Sequence, residues 1–396
     1  MFLQTRLSAI LAGFLTLVSI AGESIAAPPP AQPAEGAGGK DDRTATVTKR
    51  IVGLSGSASY AFFKAGPAPA AGRPVAVLFH AWGAPNPQVY GAWIDHLART
   101  GFLVVVPRFQ EVNRTKPADA SANAVRAMKA TFTELGADPD AKPDLAKVAY
   151  VGHLAGAAIA ASVAGAAKGE GLPAPKLVFA AMPGGIASDP KARGIPLKDL
   201  GDIPAQTLII TMIGDRDARA ADLAARRILR EASAVPIERK LFIRVLSDDH
   251  GFPALTATLA APAGVDASFD GGSIKAPPEP PRDPKQPAPP FKWSADMALT
   301  GEQTTLVAQL NNARADSLDY LAFWKTFDLA AAAAFAGSDA AALKANPRLS
   351  DMERWGDGWP VKRLVVETPR ITPAPQPAAS AEPTAPAKAA PTKRTP

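Results

Sequence analysis

The stretch Val148-Ala149-Tyr150-Val151-Gly152-His153-Leu154-Ala155-Gly156 constrains this chain more than any other, because it drives a strand straight into a helix. Residues 148–151 are apolar and largely β-branched or aromatic, as a buried strand requires, and the small-residue run 157–167 reads as a helix. Gly152 and Gly156 bracket the position between them. Glycine on both flanks marks a turn so tight that a Cβ would meet the adjoining strand and helix. The central residue is Leu154. We expect the turn to keep its strained shape, since a relaxed turn would need neither glycine, and to aim the isobutyl group into the space above the sheet.

Strands and helices alternate on both sides of this turn. Residues 44–52 and 58–63 carry β-branched and aromatic residues around Gly53-Leu54-Ser55-Gly56 and predict an opening strand pair. Strands are then expected at 75–79, 102–106, 148–151, 176–181, 206–213 and 240–246, and helices at 88–99, 120–135 and 220–231. This spacing predicts an α/β fold with a mostly parallel, doubly wound sheet and helices on both faces. A Pro-rich insertion or flap follows over 253–299, densest at 277–290. Thr300 and Gln303 have capping-box spacing, a long apolar helix is expected at 317–335, and a last short strand at 364–366.

The ends differ from the middle. Residues 1–26 read as a secretory signal, with Arg6, an apolar run over 7–21 and the small residues Ser24-Ile25-Ala26 before the expected cut. Residues 27–43 are rich in Pro, Ala and Gly and read as a flexible tether, leaving a domain at 44–368 and a disordered basic tail at 369–396. A periplasmic or secreted protein is therefore expected, without a transmembrane helix in the mature chain. The chain has no cysteine, so disulfides and thiolate metal sites are excluded, and its 47% hydrophobic content suffices for a large core. Of the net charge of +6, half lies beyond Thr368, where Arg370, Lys388, Lys393 and Arg394 face Glu382 alone. No basic cluster interleaved with aromatics remains to suggest nucleic acid. Four dispersed histidines make no metal site and no cofactor is implied.

Four places in order resemble a secreted α/β-hydrolase of the serine esterase and dienelactone hydrolase type, over roughly residues 44–335. Phe79-His80-Ala81-Trp82-Gly83 resembles the His-Gly oxyanion loop, and Gly152 to Gly156 the nucleophile elbow Gly-x-Ser-x-Gly. Gly214-Asp215-Arg216-Asp217 resembles the turn carrying the triad acid, and Asp248-Asp249-His250-Gly251 the loop carrying the triad histidine. The resemblance implies Asp217 as the acid, with Asp215 as runner-up, His250 as the base, and Trp82 and Ala155 as oxyanion-hole positions. Asp217 also reads as a cap for the following helix. Two places depart from the family pattern: Leu154 stands at the nucleophile position, and Ala81 at the glycine of His-Gly.

An isobutyl group can neither lose a proton to histidine nor attack a carbonyl. Ser162 is expected two turns into the helix and Ser247 on the last strand, so neither replaces it, and Ser55 reads as a plain turn residue. Trp82, Tyr90 and Trp93 cluster near the expected pocket mouth, where they either hold an apolar ligand or pack in the core. His80 and His153 read as structural, and His96 as a surface residue. Two readings follow. One is a degenerate hydrolase that binds a small apolar or ester-like ligand, or an envelope protein partner, through the old cleft. The other is an active hydrolase of ester-like substrates, or a different reaction, run by a His-Asp dyad without a covalent intermediate.

Overall fold

Each predicted strand is present in the computed structural model, which describes residues 26–40, 44–189, 192–216, 218–278, 291–299 and 303–369. β1 (Val47–Val52) and β2 (Ser59–Lys64) pair antiparallel and open the sheet. Then β3 (Arg73–Phe79), α1 (Gly91–Arg99), β4 (Leu103–Pro107), α2 (Ala120–Leu135), β5 (Pro143–His153), α3 (Ala155–Ala166) and β6 (Leu177–Ala181) alternate. β7 (Leu208–Gly214), α4 (Ala218–Glu231) and β8 (Lys240–Val245) complete the parallel part. After a long excursion come α5 (Gln303–Asn312), a π-helical turn (Asp319–Trp324) running into α6 (Lys325–Phe335), and α7 (Ala340–Ala345). α8 (Pro347–Ser350) and β9 (Val365–Glu367) end the fold.

The sheet has nine strands in the order β1-β2-β4-β3-β5-β6-β7-β8-β9. Only the pairs of β2 with β1 and β4, and of β9 with β8, are antiparallel. β4, β6 and β7 are buried along their whole length, which explains why they read as continuous apolar runs rather than alternating ones. The chain steps outward from β3 to β4 and then back across to β5, so the topological switch lies between β3 and β5. Phe79 and Gly152 are register partners there, and the crevice at such a point is where open α/β sheets bind ligands.

Right-handed crossovers in opposite directions put α1 on one face and α2 and α3 on the other. α6 joins α1: Trp93 meets Phe179 of β6 and Phe327 of α6 edge to face, with ring centroids 6.1 and 6.0 Å apart. His96, expected on the surface, is 2% exposed because α6 returns over it. Its Nε2 lies 2.9 Å from Asp328 Oδ2, and its ring stacks on Trp324 at 5.0 Å.

Two segments that composition marks as loose are built into the body. The excursion after β8 runs back along the carboxyl ends of the strands. Ala257 presses on Gly214 at the end of β7, Leu259 O lies 2.9 Å from His153 Nε2 at the end of β5, and Gly264 N donates to Val89 O at 3.1 Å. Gly271 finally meets the Tyr60 hydroxyl on β2. Residues 27–40, expected as a flexible tether, form a packed strap instead. Phe252 N donates to Ala27 O at 3.0 Å, Gly356 N to Pro28 O at 2.9 Å, and Gly38 N to Asp328 Oδ2 at 2.8 Å. Ser317 Oγ and the Tyr320 hydroxyl both donate to Pro30 O, at 2.7 and 2.5 Å. A Pro/Ala/Gly run has little side chain to bury, but its carbonyls are free acceptors, and here distant loops use them. Residues 1–25, Thr300, 279–290 and 370–396 lie outside the described residues, and with them most of the expected signal, the capping box, the densest proline run and the basic tail.

Candidate functional site

The turn between β5 and α3 has the strained form expected of it. Leu154 sits at φ 53°, ψ −119°, a conformation that a branched side chain holds only under enforcement. The enforcement is steric. A Cβ on Gly152 would collide with the backbone of Gly156 and Ala157, and one on Gly156 with the carbonyls of Phe79 and His80. Hydrogen bonds hold the apex as well: Leu154 N donates to Ala181 O at 3.1 Å, and Leu154 O accepts from Gly184 N at 3.2 Å.

The Leu154 side chain is 7% exposed and lies beside Gly184. Gly185, the next residue of that loop, lies against Ala155 and Leu299, while Gly83, in the loop after β3, lies against Val307 of α5. Leu299 and Val307 thus bring apolar groups against the loops that follow β6 and β3. Trp82, in the loop after β3, and Ala155, first residue of α3, are both buried, on neighbouring strand ends.

Beneath the apex runs a closed polar chain. Ala81 N donates to the Tyr90 hydroxyl at 2.9 Å, the hydroxyl lies 2.9 Å from His153 Nδ1, and His153 Nε2 lies 2.9 Å from Leu259 O. Leu259 O only accepts, so Nε2 carries the proton and Nδ1 accepts from Tyr90. Burial pushes His153 down to about 4, against the raising effect of the Leu259 and Ala261 carbonyls, and pushes the Tyr90 phenol up. His153 is therefore a neutral structural group. Tyr90 belongs to this network and Trp93 to the core, each 1% exposed. His80 is equally fixed: it stacks on Phe109 at 4.0 Å, its Nδ1 donates to Ala81 O at 2.8 Å, and burial holds it down to about 4.

Of the residues expected to form the triad, the structure describes His250 and the runner-up acid Asp215, and their partners differ. Asp217 lies outside the described residues. Asp215 accepts from Ser247 N at 2.9 Å and Ser247 Oγ at 2.5 Å, tying the end of β7 to the end of β8. His250 turns the other way: its Nε2 lies 2.7 Å from Asp357 Oδ2, and its ring stacks on Trp359 at 5.4 Å with Trp355 at 5.8 Å. These partners belong to the segment leading into β9, the strand at the sheet edge beyond β8. Asp248 fixes the arrangement, since its Oδ1 accepts from His250 N at 3.1 Å and its Oδ2 from Lys362 N at 2.9 Å. A backbone N–H from Trp359, and then His250, lower the Asp357 carboxyl. No sequence signal marks Asp357, which sits in an ordinary Asp-Gly-Trp turn.

Among the described residues no three His, Cys, Asp or Glu side chains converge on a metal position, and no helix is long and apolar enough to cross a membrane.

Residues 46–193, less than half of the chain, match the family model described as Chlorophyllase. No curated protein matches the sequence. Among solved structures, the chain is similar to carboxyl esterase 2 of Tuber melanosporum at 14% identity, covering 52% of this chain and 79% of that one with a TM-score of 0.40. An esterase of Mycobacterium marinum is 19% identical over 51% of this chain and 71% of its own, with a TM-score of 0.34. A Pyrobaculum calidifontis esterase is 16% identical over 51% and 75%, with a TM-score of 0.37. The nine-stranded, mostly parallel sheet with its helices and the strained turn after β5 give this chain an α/β-hydrolase fold.

Proposed function

We propose that this chain is a degenerate hydrolase that acts by binding. One observation carries the reading: the apex of the elbow keeps its enforced geometry but presents the apolar side chain of Leu154. The chemistry of acyl transfer is gone while the scaffold that would hold it persists. The apolar Leu154 side chain, with Leu299 and Val307 against the loops after β6 and β3, supports an apolar or ester-like occupant rather than a polar one. On the strength of residues 1–26 the same reading includes export, with action at the periplasm or beyond, on a small ligand or an envelope partner.

The test incubates purified full-length protein with a short-chain aryl ester and with a fluorophosphonate probe, beside a Leu154→Ala variant. The expected result is no turnover above the uncatalysed rate and no labelling for either protein. Hydrolysis by the unaltered protein that Leu154→Ala leaves unchanged would place a nucleophile elsewhere and end the reading. The alternative, a dyad enzyme without a covalent intermediate, gains one specific observation in the 2.7 Å His250–Asp357 pair. It predicts turnover without probe labelling, abolished by Asp357→Ala.

A further inference from the structure

The start of β2 and the carboxyl end of β4, where Ser59 pairs with Pro107, border a cleft of about 230 Å³. Tyr60, Pro85, Arg108, Gln110, Glu111 and Val112 line it. We propose that this cleft is a binding site for a small planar carboxylate, with Arg108 as its anchor.

The guanidinium of Arg108 lies over the Tyr60 ring, 5.4 Å from its centroid, and Tyr60 in turn stacks on Phe62 at 6.4 Å. A guanidinium over an aromatic face keeps its N–H groups available, and its planar fork can take a carboxylate through two parallel bonds. The fork is not spent on the protein: Arg108 makes no ion pair among the described residues, although Glu111 lines the same cleft. Gln110 is 5% exposed and is locked by its Oε1, which accepts from Gly83 N at 2.8 Å. That bond orients the amide so that Nε2, a pure donor, is left for a ligand.

In the remaining polar wall, Glu111 is a carboxylate that an anion must lie away from, and Asn86 is spent on the protein. Asn86 accepts from Gln88 N at 3.2 Å and Gly271 N at 3.0 Å and donates to Asp270 Oδ1 at 2.8 Å. An arginine fork and an amide donor call for a group that only accepts, and the guanidinium's charge favours an anionic one. Tyr60, Pro85 and Val112 supply an apolar wall for its body. The cleft is smaller than the roughly 300–1,000 Å³ of drug-sized sites, so the occupant is small. Gln110 also links this cleft to the loop beside the elbow through Gly83. The proposal does not depend on whether Leu154 has ended catalysis.

Calorimetric titration of the full chain with benzoate, and with benzamide as its neutral isostere, tests it. The expected result is saturable one-site binding of benzoate, with benzamide weaker by about ten-fold or more, the ratio for losing a charge-assisted pair. Arg108→Leu should weaken benzoate by about ten-fold or more, and Arg108→Lys by less, because a point charge keeps attraction but loses the fork. Val112→Asp, at a residue 48% exposed and so indifferent to folding, should weaken benzoate similarly by placing a like charge on the apolar wall. Absence of saturable benzoate binding, equal affinity for benzamide, or full affinity in both Arg108→Leu and Val112→Asp would overturn the proposal. Ester turnover by the same protein would sink the degenerate-hydrolase reading and leave this titration unaffected.

Discussion

The Nε2 of His250 lies 2.7 Å from Asp357 Oδ2, so the ring nitrogen that would face a nucleophile in a serine triad is already committed to a carboxylate at the sheet edge. In a working triad that nitrogen takes the proton from the serine hydroxyl, while the acid holds the other ring nitrogen. Here the roles are reversed, and stacking on Trp359 keeps the ring from turning back. Leu154→Ser should therefore stay unlabelled by a fluorophosphonate, despite restoring a hydroxyl at an intact elbow. Loss of the general base alone costs on the order of a million-fold in a measured triad. Rapid labelling of Leu154→Ser would show that His250 reaches the elbow and that Leu154 is the sole defect.

Acid should destabilise the fold before carboxylate chemistry dominates. His80 and His153 are both lowered to about 4 by burial, so the folded state keeps them neutral while the unfolded chain protonates near the ordinary value of 6.5. Their contribution is fully present above 6.5 and is lost as pH falls from there toward about 4. Each shift corresponds to on the order of 3 kcal/mol. Asp319 acts with the opposite sign: burial raises its carboxyl, so it favours the fold as pH falls toward 3.8 and softens the loss. Urea midpoints should fall between about pH 7 and pH 5, and His153→Gln should flatten the slope. A midpoint constant over that range would mean that neither imidazole is held neutral.

The strap makes a separate prediction. Pro30 O accepts from both Ser317 Oγ and the Tyr320 hydroxyl, and these two hydroxyls lie 2.9 Å apart. Ser317→Ala and Tyr320→Phe should each cost about 1 kcal/mol in denaturant melts. Because both variants act on one acceptor, the double variant should cost less than their sum. Strict additivity, or no loss in either, would mean that residues 27–40 hold no fixed place.

How far the sequence was readable depends on the range of the interaction that decides each feature. The alternation of strands and helices and the turn at Leu154 are set by neighbours in sequence: apolar runs, two glycines, a small-residue helix. All of these were legible. Asp357 was not, because an Asp-Gly-Trp turn becomes the partner of His250 only when the segment before β9 folds back along β8. The burial of His96 depends likewise on α6 closing over α1. Residues 27–40 looked like linker because composition reports side chains, whereas the strap is held mainly through its backbone carbonyls. Trp93 had two readings, and its contacts with Phe179 and Phe327 put it in the core.

The strain at Leu154 should invert the usual order of substitutions. At an ordinary buried site glycine is worse than alanine by roughly 0.5–1 kcal/mol, because it gains more freedom on unfolding. At φ 53° the balance changes. Leu154→Ala loses the burial of an isobutyl group, a truncation that costs about 2–5 kcal/mol, and keeps the backbone strain. Leu154→Gly loses nearly the same burial but relieves strain of about 1–3 kcal/mol, which exceeds the extra entropy cost. The glycine variant should therefore be at least as stable as the alanine variant, and by about 1 kcal/mol the more stable of the two. Gly156→Ala serves as the control in the other direction, since its new Cβ has only backbone carbonyls to displace. It should be the most damaging of the three. If Leu154→Gly melts well below Leu154→Ala, the elbow is not strained, and the two flanking glycines are there for packing alone.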